Sequence, residues 1–319
     1  MAFLFSGKDD ELVRSVLITG ANAGLGKEVA RQLAVKDETV TKVFLACRNE
    51  TKAVAAQREL ERETSKQIFE VVIMDMSNPD SIRAAVSSLS EPIDALLMNA
   101  GGPLESTPNN NYFGALETFA ANVLGHMVLM DELMASRKLK KTAVFVGSEA
   151  ARGAPMFQVK CPTYETGSVD ELKSVVDGTF FGTIKPSMNM QTYAQTKLMG
   201  ALWMSSAARK HPNMRLLTMS PGATAGTEAV NNITPPVKKF MFKTILTMMA
   251  ALGRFNKLEA GAARLVDALI NTEAYQSGAF YASASGMAGE VGDQSPMNPW
   301  LSREDVQDNA YEALHCFIK

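Results

Sequence analysis

Short apolar runs alternate with helix-periodic segments along nearly the whole chain, and few folds accommodate that alternation. The first run, Ser15-Val16-Leu17-Ile18-Thr19, is apolar at consecutive positions and stops at Gly20, the pattern of a strand buried on both faces. A helix is expected over residues 25–34, where Leu25, Val29, Ala30 and Leu33 line one face. Further strands are expected at 42–47, 69–74, 94–98, 142–146, 214–219 and 278–283. Helices are expected at 51–62, 79–89, 113–134, 191–210, 258–270 and, in the tail, near 304–317. Each crossover helix must lie over one face of the sheet. The expectation is therefore an α/β fold, a single doubly wound parallel sheet of about seven strands with helices on both faces.

Two long irregular stretches, 149–190 and 223–257, interrupt the pattern. Loops of that length inside a compact domain are functional or carry small elements of their own. One domain over 1–319 is expected, with the two insertions forming a substrate lid. Apolar residues make up 46% of the chain, enough for one large core, and the formal net charge of −2 argues against nucleic acid as a partner. Cys47, Cys161 and Cys316 are odd in number and far apart, so they read as reduced thiols, not a disulfide frame or a zinc site. His126, His211 and His315 lack ligand spacing and read as surface or packing residues, and no metal is implied. The apolar start, Met1 to Phe5, is too short for a signal core, and no segment reaches the ~20 apolar residues that cross a bilayer. A soluble, cytoplasmic protein is expected.

The first strand leads straight into Thr19-Gly20-Ala21-Asn22-Ala23-Gly24-Leu25-Gly26. A glycine-rich turn between a strand and a helix lets backbone approach a pyrophosphate, and the helix N-terminus offers free amides to it. Thr19, Gly20, Asn22, Gly24, Leu25 and Gly26 are therefore candidate dinucleotide contacts. An acidic residue ending the second strand would select against a 2′-phosphate. Here the strand ends in Cys47-Arg48-Asn49, with Lys52 one helical turn on. Arg48 can pair with a phosphate through its planar fork, so NADP(H) is expected over NAD(H). Asp75 and Met76, after the third strand, are candidate contacts near the adenine, although Asp75 is nearly as well explained by a turn.

Tyr193 and Lys197 stand four residues apart, on one face of an expected helix. A neighbouring ammonium favours phenolate, which would help the phenol act as acid or base near neutral pH. Lys197 could also hold ribose hydroxyls. Ser148 follows the fifth strand directly, at the carboxyl edge where such sheets bind ligands, and its hydroxyl can orient a substrate carbonyl. Asn122 lies in the long helix before that strand, where a buried amide could bond a water leading from Lys197 to solvent.

Taken together these residues resemble the short-chain dehydrogenase/reductase family. The resemblance is carried by Thr19-Gly20-x-x-x-Gly24-x-Gly26, Asn99-Ala100-Gly101, Asn122, Ser148, Tyr193-x-x-x-Lys197 and Pro221-Gly222, in family order over residues 12–285. It implies a Rossmann-type fold and an Asn122–Ser148–Tyr193–Lys197 tetrad. It also implies that Asn99, Ala100 and Gly101 shape the cofactor crevice. The loop after Pro221 and Gly222 would touch the nicotinamide amide through Thr224 or Thr227; Gly226 stands where many members have the threonine. Met98 departs from the family, which usually has an asparagine there, and Ser148 and Tyr193 are separated by 45 positions. Such long-insert members are similar to the carbonyl reductase, retinol dehydrogenase and protochlorophyllide reductase branches.

The insertions bring Met156, Phe157, Tyr164, Phe180, Phe181, Met188 and Met190, then an apolar helix-like run from Phe240 to Leu252 behind Lys238, Lys239 and Lys243. Flexible methionines suit adaptable apolar binding surfaces. The expected activity is NADP(H)-dependent hydride transfer to or from a bulky apolar carbonyl or alcohol, with Tyr193 as general acid and base. Two alternatives are reduction of a conjugated C=C bond, for which Cys161 is a candidate thiol, and a silent NADP(H)-binding sensor. Weak contact with a membrane surface is compatible with the basic run. The resemblance implies oligomers through the helices at 113–134 and 191–210, while the insertions would leave a monomer; monomer or homodimer is expected.

Overall fold

The computed structural model describes residues 12–102, 111–183, 189–225 and 254–318. Eight strands form one sheet: β1 Ser15–Thr19, β2 Lys42–Cys47, β3 Phe69–Ile73, β4 Ile93–Met98, β5 Leu139–Val146, β6 Arg215–Met219, β7 Phe280–Ser283 and β8 Val291–Asp293. Their order is β3-β2-β1-β4-β5-β6-β7-β8. All neighbours are parallel except β7 and β8, which pair antiparallel through Tyr281–Asp293, Ala282–Gly292 and Ser283–Val291. The eighth strand exceeds the expected seven because β8 is three residues long and Gly292 stands in it, so it carries no apolar alternation to read.

The helices are α1 Gly24–Lys36, α2 Glu50–Thr64, α3 Pro79–Ser88, α4 Gly125–Ala135, α5 Val169–Asp177, α6 Asn189–Lys210, α7 Leu258–Ile270 and α8 Glu304–His315. Local chemistry sets several starts. Asn49 accepts from the Lys52 amide at 2.9 Å to cap α2, and Asn78 with Pro79 behind it caps α3. Alternate strand residues feed two separate cores. Leu17, Phe44, Leu96, Phe145 and Leu216 point to one side, under α3, α4 and α6. Val16, Ile18, Leu45, Leu97, Val144 and Leu217 point to the other, under α1, α2 and α7. Both faces are thus covered, as an all-parallel run requires.

The stretch from Ser148 to Tyr193 is not structureless. It holds 3₁₀ turns at Glu149–Arg152, Pro155–Phe157 and Thr179–Phe181, and the helix α5, capped by Ser168. In the second insertion, residues 226–253, including Thr227 and the Phe240 to Leu252 run, lie outside the described residues, as does Met188. The expected 113–134 helix begins later, at Glu117, and passes through a π-helical stretch, Ala120–Leu124, before α4. No helix among the described residues is long and apolar enough to cross a membrane.

The tail helix α8 packs on α6 and α5, and its far end reaches α4. Asp308 accepts from Ser206 and Arg209 on α6, each at 2.6 Å. At its far end His315 bonds Asp131 on α4 through Nε2 at 3.2 Å, while Nδ1 faces the Tyr311 carbonyl at 2.7 Å. Two acceptors suit the imidazolium. Burial alone would lower the His315 pKa, but the Asp131 carboxylate and the Tyr311 carbonyl outweigh it and raise it above 6.5. A raised folded-state pKa stabilises fully below the unfolded value and is lost as pH rises through the folded one. The melting-temperature gap between wild type and Asp131→Asn is expected to be widest below pH 6.5. It should represent at most about 1 kcal/mol and shrink at alkaline pH. A gap that does not change with pH would remove the ion pair from this account.

Candidate active site

Thr19 ends β1 with its side chain buried, and its hydroxyl organises the neighbouring loop. It accepts from the backbone N–H groups of Asn99 at 2.8 Å and Ala100 at 2.9 Å. Its own proton goes to a ring nitrogen, and the direction follows from elementary bookkeeping. His126 Nδ1 lies 3.0 Å from the Asn122 carbonyl, which can only accept, so Nδ1 carries the hydrogen. Burial pushes the His126 pKa down to about 4, so the ring is neutral and Nε2 accepts from Thr19 at 2.9 Å. The Asn99 amide donates back to the Thr19 carbonyl at 2.8 Å. The ends of β1 and β4 are thereby stitched together.

The carboxyl ends of the strands open on a crevice of about 550 Å³. It runs from the β2 and β3 ends, at Arg48 and Asp75, to the β5 and β6 ends, at Ser148 and Gly222. Five strand spacings of ~4.8 Å separate β3 from β6, so a ligand filling the crevice is long and extended. Its floor is the glycine turn. Ala23, the N-cap of α1, supplies no side-chain cap, and the first turn holds no acidic residue, which leaves its amides free for an anion. A Cβ at Gly26 would come within 2.6 Å of both the Asn99 amide and the Gly20 carbonyl, so this close approach admits only glycine.

Of the expected contacts, Gly20, Asn22, Gly24, Leu25, Arg48, Asp75, Met76, Asn99, Ala100, Gly101, Pro221, Gly222 and Thr224 line the crevice, as do Ser148, Tyr193 and Lys197. Thr19, Gly26, Lys52 and Asn122 do not. Asp75 also accepts from the Ser77 amide at 3.0 Å, so it does serve a turn. Thr224 turns its hydroxyl back onto its own loop, at 3.1 Å from the Gly222 carbonyl. Asn122 is fully buried in the π-helical stretch. Its amide donates to the carbonyls of Gly102 at 3.0 Å and Thr118 at 2.8 Å, and its oxygen accepts from the Gly102 N–H at 2.9 Å. That side chain clamps the crevice wall from behind, with both donors used.

Tyr193 keeps partial solvent contact in the crevice, and its hydroxyl is hydrogen-bonded with Ser148. Burial pushes its pKa up to about 12; Ser148 pulls it down, and the carboxylate of Glu149 adds to the rise. Lys197 is buried, and burial pushes its pKa down to about 7. Its Nζ donates to the Val146 carbonyl at 2.8 Å and sits 4.9 Å from the centre of the Phe145 ring and 5.5 Å from that of Tyr193. These shifts run opposite to the expected phenolate–ammonium pair. The reason is physical: the amine lies over the ring face and on a backbone carbonyl, and desolvation of both groups outweighs their attraction.

Two residues of the site's support were not anticipated. His126 reads in the sequence as a packing residue; its position four after Asn122, on the buried side of one helix, is the signal that places both behind the crevice. Glu149 carries no signal beyond adjacency to Ser148.

A family model described as short chain dehydrogenase matches residues 14–161. Retinol dehydrogenase 12 from Bos taurus is 38% identical over 132 residues, which span 40% of this chain and 40% of that relative's length. Protochlorophyllide reductase B, chloroplastic, from Oryza sativa subsp. japonica is 26% identical over 260 residues, spanning 75% of this chain and 64% of that protein. Among solved structures, L-sorbose reductase from Gluconobacter frateurii complexed with NADPH and L-sorbose superposes with a TM-score of 0.61 at 17% identity, over 88% of this chain and 99% of that one. At that identity the likeness is one of fold.

Proposed function

We propose that this chain is a member of the short-chain dehydrogenase/reductase family and an NADP(H)-dependent oxidoreductase acting on a bulky, apolar carbonyl or alcohol. One observation carries the reading: Ser148, Tyr193 and Lys197 meet at one end of a crevice whose floor is an uncapped helix N-terminus. The Arg48 end of the crevice takes the 2′-phosphate and adenine half, and the Gly222 end takes the nicotinamide half. NADP(H), when bound, supplies or accepts the hydride. Every other task falls to side chains. Ser148 orients the carbonyl oxygen, and Tyr193 gives that oxygen a proton or takes one from it. Lys197 sits against the Tyr193 ring, where it can bond ribose hydroxyls with donors left free by Val146. Asn122 acts from behind, by holding Gly102.

The apolar substrate class rests on the segment between Ser148 and Tyr193, where Met156, Phe180 and Met190 stand exposed. The segment is read as a lid within a single domain. With α8 packed on α6 and its end bonded to α4, a monomer is the favoured state, since the chain's own tail covers part of the helices through which the family resemblance implies oligomers. The conjugated C=C alternative draws on the rice relative's long match, but Cys161, its candidate thiol, does not line the crevice.

A panel of apolar and charged carbonyls, scored by NADPH oxidation, tests the reading; turnover of only small charged carbonyls would contradict it. Cofactor choice has its own test. Arg48 is exposed at the crevice end, where its fork can meet a phosphate. Arg48→Ala is expected to cut the ratio of NADPH to NADH affinity by about 10–100-fold, the worth of one charge-assisted bidentate contact. An unchanged ratio would end that role.

A further inference from the structure

Behind the Gly222 end of the crevice one carboxylate is buried, and neither the family resemblance nor the mechanism above uses it. Glu149 follows Ser148 and is 2% exposed. Its Oε2 accepts a short hydrogen bond from the Ser220 hydroxyl. Its Oε1 accepts from the Ser283 N–H at 3.1 Å and from the Ser283 hydroxyl at 2.9 Å. A carboxylate only accepts, so both hydroxyl protons point at it. Each serine oxygen is then free to accept from behind. Ser220 accepts from the Gly222 N–H at 3.1 Å, and Ser283 from Arg264 Nη1 at 3.0 Å. Two serine-bridged relays thus converge on one carboxylate, one from the crevice wall and one from a guanidinium. Arg264 itself is packed against that wall: a Cβ at Gly222 would lie 2.8 Å from its Nη1.

Holding strands together does not need such a cluster, because well-packed apolar residues do so at lower desolvation cost. What the cluster uniquely does is join the loop bearing Ser148 to the loop bearing Gly222 with directional, charge-assisted bonds. We propose that Glu149 is a positioning residue for the hydride-transfer end of the crevice, fixing the Ser220–Gly222 wall against Ser148 so that the nicotinamide half of NADP(H) is held over Tyr193. The inference rests on the NADP(H) reading above. The charge has a second effect in the same direction, since it helps keep Tyr193 in the phenol form.

An amide cannot replace the carboxylate. Glu149→Gln keeps the shape but removes the charge and turns an NH₂ toward one serine, whose hydroxyl can then no longer donate there, so the charge-assisted bond on that side is lost. The test compares two ligands: NADPH, and adenosine 2′,5′-bisphosphate, which carries the phosphorylated adenosine half alone. Dissociation constants are measured by nucleotide fluorescence and calorimetry. Glu149→Gln is expected to weaken NADPH about tenfold and to leave the bisphosphate within about twofold. Ser283→Ala removes one relay at a distance from the crevice and is expected to weaken NADPH about threefold, again sparing the bisphosphate; it decides the matter if Glu149→Gln fails to fold. NADPH affinity unchanged in the folded variants, or a parallel loss of both ligands, would overturn the positioning role. Wild-type protein that binds neither ligand would overturn the NADP(H) reading itself, and the inference with it.

Discussion

Tyr193→Phe is expected to lower kcat by about 10²–10⁴-fold, with the fold intact and NADPH still bound, because general acid–base transfer at a positioned side chain contributes on that scale. The substitution removes only the hydroxyl. The ring keeps its packing beside Ala150, Ala154 and Val159, and Lys197 Nζ keeps its place over the ring face. What disappears is the bond to Ser148 and the only proton the reading has available at the carbonyl oxygen. Direction follows from the electrostatics. Held up to about 12, Tyr193 is a phenol at neutral pH and can protonate an alkoxide, a far stronger base. Reduction should therefore run at neutral pH and fail only as pH climbs toward that value. Alcohol oxidation needs the phenolate and should rise with pH over the same range. NADPH consumption with an apolar aldehyde or ketone, followed against pH in wild type and variant, reads both. A variant within tenfold of wild type would remove Tyr193 from the proton-transfer role.

How much of this was legible in the sequence depends on how local each signal is. β1 shows itself because both its faces are buried and five consecutive residues record that, from Ser15 to Thr19. The other parallel strands were legible on that ground except β3, where Ile73 is exposed and Glu70 and Val71 are half-buried, and which shows only as an apolar run. β8 was not, because it is defined by pairing with β7 and not by its own residues. α5 was folded into a long irregular stretch, although Ser168, Asp170 and Glu171 mark its start; its nine residues carry too few turns to stand out. At the site, the residues that line the crevice lie in short motifs at strand ends, and these were readable. The layer behind them was not. Thr19 meets His126 across 107 positions, and Glu149 meets Ser283 across 134, so no local spacing reports either contact. The sign of the Tyr193 and Lys197 shifts was missed for the same reason. Spacing places the two groups on one face but says nothing of how much solvent that face loses.

That loss of solvent makes Lys197→Met the most informative stability variant: it is expected to abolish turnover and yet to raise the melting temperature. Burial depresses Lys197 from its ordinary 10.5 to about 7. A cation whose folded-state pKa lies below its unfolded value binds fewer protons when folded, so it opposes folding wherever the unfolded chain holds the proton. The penalty is fully present below pH 7, fades as pH rises toward 10.5 and is absent above it. Near neutrality it is on the order of 3–5 kcal/mol. Methionine fills a similar volume without charge. It gives up the bond to the Val146 carbonyl, a loss of about 1–3 kcal/mol. The net gain is then about 2 kcal/mol, or roughly 3–8 °C for a chain of this size. The gain should be largest in mildly acidic buffer, cross zero between pH 7 and 10.5 as the penalty falls below the worth of the Val146 bond, and turn into a loss near pH 10.5. Such a pattern means that the fold tolerates a destabilising amine at this point because chemistry requires it there. A melting temperature that drops equally at every pH would show instead that Lys197 is held as a structural group, with the Val146 bond outweighing its desolvation.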